Sequence, residues 1–147
     1  MKKRIYLLEL VEFYYYDTKD DENVEDRWII GYFLTLSKLV EAISKCSDLK
    51  KETERIVVTS FDIKLNYNQK FVYVLSYEYS YLLNNNYIDY SYVFDPQTNI
   101  NKCKIMMNEL KKQKKYAHNK RKLYDECSKQ GFYFSKYRLD FNYRNSQ

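Results

Sequence analysis

Apolar and polar positions change period several times along the chain, and each change marks an element. Ile5-Tyr6-Leu7-Leu8-Glu9-Leu10 opens a long apolar and aromatic segment that continues through Phe13 to Tyr16, in residues that favour extended backbone. Positions 17–26 are polar and predict a loop. Trp28-Ile29-Ile30-Gly31-Tyr32-Phe33 predicts a second strand, and Leu36, Leu39, Val40 and Ile43 recur at the spacing of a short amphipathic helix that Thr35 or Ser37 would cap. After a loop over 47–54, Val57, Thr59, Phe61, Ile63 and Leu65 alternate with Val58, Ser60, Asp62 and Lys64 in the two-residue period of a third strand.

The same order then returns. Val72-Tyr73-Val74-Leu75 lies over Ile5-Tyr6-Leu7-Leu8, the turn Asn84-Asn85-Asn86 stands where the acidic loop stood, and Tyr92-Val93-Phe94 lies over Gly31-Tyr32-Phe33. Asp95-Pro96 predicts a helix start, with aspartate as N-cap and proline at the first helical position. Phe132 to Asn142 predicts a closing strand whose inward and outward positions are in phase with the third strand. The pattern predicts an α+β protein made by tandem duplication of a ββαβ unit, over residues 1–68 and 69–147, together one compact domain. The expected sheet is mainly antiparallel with the helices on one face, either as one six-stranded sheet or as a pseudo-symmetric pair.

The second unit breaks the symmetry. Residues matched in the second strands are 61 positions apart and those in the third strands 76, so about fifteen residues are gained, within 101–130. That stretch holds ten lysines and arginines against Glu109, Asp125 and Glu126, and predicts an extended, basic second helix. Ile100, Cys103, Met107 and Leu110 form its apolar stripe, which turns basic beyond Leu110. Charge is polarised accordingly: 11 basic and 13 acidic side chains over residues 1–66, 14 and 7 over 67–147.

Composition narrows the classes of function. A chain of 147 residues buries enough surface to fold without disulfides. Cys46, Cys103 and Cys127 are odd in number and have no metal-ligand spacing, so they read as reduced cytosolic thiols and no metal or cofactor is expected. Glu9 and Glu12 interrupt the first apolar run, which reads as a strand and not as a secretory signal, and no stretch is long enough for a membrane helix. Two glycines and one proline leave little material for phosphate-cradling loops or oxyanion turns, and no catalytic residue is expected.

The run Ile30-Gly31-Tyr32-Phe33 with a helix ending near Ala42-Ile43, and Gly131-Phe132-Tyr133-Phe134 with Tyr137-Arg138-Leu139-Asp140, resemble small bacterial and phage domains of unknown function. Their pattern is a strand, an acidic loop, an "IGVY"-like strand, a helix and a "GF…Y.LD" strand. The resemblance implies the ββαβ fold and brings no activity with it.

Two charged features are the candidates for binding. Lys111, Lys112, Lys114, Lys115, Lys120, Arg121 and Lys122 give a dense cationic surface that suits phosphates or an acidic protein, and read otherwise as a solvated helix face. Asp20, Asp21 and Glu22, with Asp17, Glu25 and Asp26, suit a basic partner or imitate phosphates, and read otherwise as a solvated hairpin loop. Exposed tyrosines such as Tyr77, Tyr79, Tyr81, Tyr90 or Tyr92 would stack on bases or form cross-strand ladders. Trp28 reads as core, or as a contact anchor if its strand lies at an edge. His118 with Cys103 or Cys127 is the one nucleophile pairing the sequence allows. These features predict a cytoplasmic, non-enzymatic binding protein that inhibits or neutralises a macromolecule such as a nuclease or toxin, in the manner of a phage or mobile-element inhibitor, an anti-CRISPR protein or a toxin immunity protein. Nucleic-acid binding by a helix over 102–122 is the alternative.

Overall fold

The computed structural model describes residues 1–15, 23–46, 54–83, 86–113 and 130–144. Among the described residues the fold is α+β, with two three-stranded antiparallel sheets and two helices. The elements are β1 (Lys3–Tyr15), β2 (Asn23–Phe33), α1 (Leu36–Ser44), β3 (Glu54–Ile63), β4 (Phe71–Leu83), β5 (Asn86–Val93), α2 (Ile100–Lys111) and β6 (Gln130–Arg138). The strands form two sheets, ordered β2-β1-β3 and β5-β4-β6, and not the single six-stranded sheet that was one expectation. The chain divides into two compact units, Met1–Val72 with Tyr137–Gln147, and Tyr73–Lys136.

In the first unit β1 is central, and apart from Glu9 its residues from Ile5 to Val11 are apolar on both faces, as suits a strand buried on both. Ile5, Leu7, Leu8 and Val11 are all buried. On one face Leu8, Ile30 and Phe33 meet Leu39, Ala42 and Cys46 of the α1 segment, with Tyr6, Leu10, Ile43 and Ile56 packed around them. Each large side chain fully buried here contributes about 1.5–3 kcal/mol. Thr35 is the cap that the sequence allowed: its hydroxyl accepts from the Lys38 N–H at 3.2 Å.

Strand β2 does not alternate regularly, because the pairing slips between Leu8 and Glu9. Leu8 faces Gly31 and Glu9 faces Ile29, leaving Ile30 as an extra, bulged residue. The bulge turns both Trp28/Ile30 and Gly31/Phe33 toward the α1 side. It also prepares the outer edge of β2 for the C-terminal residues. Leu139 bridges Tyr32 in parallel, the Asp140 N–H donates to Tyr32 O at 2.8 Å, and the Tyr143 N–H donates to Ile30 O at 2.8 Å. Asp140 itself has φ 59 and its carboxylate accepts from the Leu34 N–H at 2.8 Å. Gly31 is required at this crossing, because a Cβ there would lie 2.4 Å from the Phe141 carbonyl oxygen.

The second unit has its own central strand, β4, which enters it at Tyr73 and buries Val74, Leu75 and Tyr77 there. It pairs antiparallel with β5 from Ser76↔Val93 to Leu83↔Asn86. The rings of Tyr77 and Phe132 lie 4.9 Å apart.

Five local expectations fail. Leu36 and Val40 of the expected α1 stripe are exposed, with Ala42 buried instead, because the sheet meets α1 along Leu39, Ala42 and Cys46; and Tyr77, expected to be exposed, is buried on the central strand β4. Asp95-Pro96 does not start α2, whose N-cap is Asn99, its side chain accepting from the Lys102 N–H at 3.0 Å. Gln97 and Tyr73 exchange backbone hydrogen bonds of 2.9 and 2.7 Å, which keep residues 95–97 extended and delay the helix. The closing strand stops at Arg138, not Asn142, because Asp140 adopts the left-handed conformation and the chain turns to bridge β2. Trp28 is not core: it lies on edge strand β2 and is 47 % exposed.

Candidate binding surface

The register of the first sheet brings together residues that are far apart in sequence. Leu10 faces Trp28 on one side and Ile56 on the other, so these three form an apolar row across the sheet. Leu8 faces Val58 in the next row, toward α1. Trp28 and Val58 are 47 % and 44 % exposed, whereas Leu10 and Ile56 are half-buried. The most exposed positions of this face are thus at its two edges, Trp28 and Val58, while its middle is largely covered.

Beyond the apolar row lies an acidic one. Glu12 faces Asp26 and Glu54, which sets three carboxylates side by side across three strands. With strands about 4.8 Å apart, they concentrate three negative charges within about 10 Å, and like charges placed directly opposite destabilise a sheet. Asp26 and Glu54 are partly exposed, and Glu12 is buried. On the opposite face the nearly buried Glu9 carboxylate takes a hydrogen bond from Arg27 at 3.3 Å.

Of the predicted binding residues, Lys111 ends α2 and Lys112 is its C-cap, and both are exposed. Lys112 Nζ lies 3.1 Å from Glu109 Oε1, an exposed pair of small energetic weight, and both lysines complement the negative end of the helix dipole. Lys114, Lys115, Lys120, Arg121, Lys122, Asp20, Asp21 and Glu22 lie outside the described residues, as do His118 and Cys127. Lys102 and Lys104 are exposed on α2, opposite its buried Cys103. Burial pushes the Cys103 thiol above its usual value, so it stays protonated and is a poor nucleophile near neutral pH.

Among the described residues no three His, Cys, Asp or Glu side chains are placed to hold a metal ion, and no helix is long and apolar enough to cross a membrane. Sequence reasoning missed the acidic row because positions 12, 26 and 54 become neighbours only once both strand registers are known. The one signal available was the pair of glutamates, Glu9 and Glu12, inside an otherwise apolar strand.

The fold and this surface define a small α+β protein with an open apolar and acidic sheet face. Comparison with known proteins returned no match to any protein-family model, curated protein or solved structure.

Proposed function

We propose that this protein acts by binding, and that it occupies a cationic site on a macromolecular partner with the open face of its first sheet. The observation that supports this is the row Asp26, Glu12, Glu54 lying beside Trp28, Leu10 and Ile56. A tryptophan half in water on an edge strand contributes little to its own fold and has the chemistry of an interface anchor. The carboxylates beside it gain most from a partner that brings positive charge. Proteins that handle nucleic acid carry such cationic sites, and a nuclease, toxin or CRISPR-type effector is the partner class that fits. The protein is then an inhibitor of the phage or mobile-element kind, anti-CRISPR-like, or a toxin immunity protein, with no catalytic residue and no cofactor. Cys46 and Cys103, buried and free, suit the reducing cytoplasm.

The same reading includes a tandem duplication. Its support is that both units run ββαβ with the first strand central, and that β3 and β6 begin at Glu54 and Gln130, the 76-residue spacing taken from the sequence. Ile5 to Leu8 and Val72 to Leu75 also share one order of buried and half-buried positions. Against a strict copy, β5 pairs with β4 two residues out of step at Tyr92 and Val93 and three residues out of step from Tyr90 on, because β4 and β5 lack the slip that β1 and β2 have.

Affinity capture from a bacterial lysate tests the binding reading with three baits: wild type, Trp28→Ala with Asp26→Lys, and Lys111→Gln with Lys112→Gln. The expected result is a basic, nucleic-acid-handling protein retained by the first and third baits and lost by the second. Retention by all three would sink the assignment of this face.

The exposure of Lys102, Lys104, Lys111 and Lys112 favours direct nucleic-acid binding as the second reading. It predicts micromolar or tighter binding of labelled DNA or RNA that weakens steeply from about 50 to 200 mM salt. Loss of that binding on changing Lys111, Lys112, Lys114, Lys115, Lys120, Arg121 and Lys122 to glutamine would promote it over the first.

A further inference from the structure

Strand β3 is the outer strand of the first sheet, and no backbone hydrogen bond reaches its outer edge from any described residue. Natural edges are blunted by lysine, proline or a bulge. The centre of this one, Ile56-Val57-Val58-Thr59-Ser60-Phe61, has none of these, and its pairing with β1 runs without a register break. Val58, Thr59 and Ser60 are consecutive and all exposed. Successive strand residues point to opposite faces, so exposure there extends to both sides of the strand.

We infer that β3 is the pairing edge of a homodimer, in which β3 of one copy runs antiparallel to β3 of a second about a two-fold axis through Thr59. The occupant is argued from the strand's self-complementarity. Centred on Thr59, Glu54 of each copy faces Lys64 of the other, Arg55 faces Ile63, Ile56 faces Asp62, Val57 faces Phe61, Val58 faces Ser60, and Thr59 faces itself. Opposite charges, an aromatic against a β-branched residue, and threonine against threonine are the favourable cross-strand pairs. Every pair except the central one occurs twice. Moving the axis one residue back to Val58 sets Glu54 against Asp62, both acidic. Moving it one forward to Ser60 sets Glu54 against Asn66, so the one opposite-charge pair is lost and none replaces it. Charge therefore selects one register, and the dimer joins two three-stranded sheets into one of six strands. The pairing shares Glu54 with the acidic row, so Glu54→Lys alters both, whereas Thr59→Lys alters the edge alone.

Sedimentation velocity of the full chain over a concentration series tests the dimer. Wild type is expected to shift from monomer to dimer mass as concentration rises. Thr59→Lys sets two like charges against each other on the axis and is expected to raise the dissociation constant at least about tenfold, with the far-ultraviolet circular dichroism unchanged. Lys64→Glu weakens the dimer and adding Glu54→Lys restores it, an outcome that a merely misfolded variant does not produce. A wild type that stays monomeric throughout overturns the inference, including one whose edge takes up an extended segment of another protein instead. So does a double exchange no tighter than Lys64→Glu alone.

Discussion

The two edges of the first sheet are treated in opposite ways. The outer edge of β2 is closed by the chain's own C-terminal residues through Leu139, Asp140 and Tyr143, whereas the outer edge of β3 carries no partner among the described residues. Closing an edge makes demands on sequence. One glycine must let the backbones cross, and one residue must accept a left-handed conformation. An open edge demands nothing locally, and its cost appears as association with other strands. Mutations at the closed edge should therefore change stability, and mutations at the open edge should change assembly.

Gly31→Ala is expected to have the largest effect on folding. The added Cβ would sit 2.4 Å from the Phe141 carbonyl oxygen and 2.9 Å from the Phe33 ring. The ring can yield, but the carbonyl belongs to the backbone that holds the C-terminal residues on β2, so those residues must lift. Overpacking of this kind costs about 1–3 kcal/mol, and the upper end is expected here. Urea unfolding followed by tryptophan fluorescence at Trp28 reads the loss. A midpoint equal to wild type would show that the crossing contributes nothing to stability.

Asp140 comes next. Replacing it with alanine removes the acceptor of the Leu34 N–H, leaves a residue with a Cβ at φ 59, and is expected to cost about 2 kcal/mol. Asparagine keeps an acceptor and tolerates that conformation, so Asp140→Asn should recover more than half of the loss. If alanine and asparagine destabilise equally, the bond from Leu34 is not what holds the edge closed.

How much of this was legible in the sequence follows from the range of each interaction. Residues that act through a local period were read correctly in the β1 run and in the Ile100, Cys103, Met107 and Leu110 stripe, in which Cys103 is buried and the others are half-buried; of the α1 stripe Leu39 is buried and Ile43 half-buried, but Leu36 and Val40 are exposed and Ala42 takes a core place instead. Local signals failed where a distant partner outweighed them. Asp95-Pro96 is a good helix start in isolation, yet Gln97 is held extended by Tyr73, some twenty residues earlier, and the cap passes to Asn99. The bulge at Ile30 was invisible because an apolar run carries no mark of which residue lacks an opposite number. Trp28 was misread for the same reason, since its neighbours suggest core and only the strand order places it at an edge. The acidic row needed two registers at once.

The smallest expected effect sharpens the contrast between the edges. Asp62 at the open edge, like Asp140 at the closed one, accepts a hydrogen bond, here from the Arg4 guanidinium at 3.2 Å. That bond and then the charge of Asp62 raise the Arg4 pKa further above its already high usual value, so Arg4 keeps its charge at every pH at which the protein is studied. Yet both side chains are more than half exposed, so water screens the pair, and freeing either one costs little. Arg4→Gln should therefore leave the urea midpoint unchanged within measurement scatter from pH 5 to pH 9, at low and high salt alike. The two carboxylates differ in what they hold. Asp140 fixes a backbone amide between two segments, whereas Asp62 meets a long side chain that water serves equally well. A loss for Arg4→Gln approaching that for Asp140→Ala would mean that the end of β3 is as firmly enclosed as β2, and the bare edge on which the dimer rests would have to be given up.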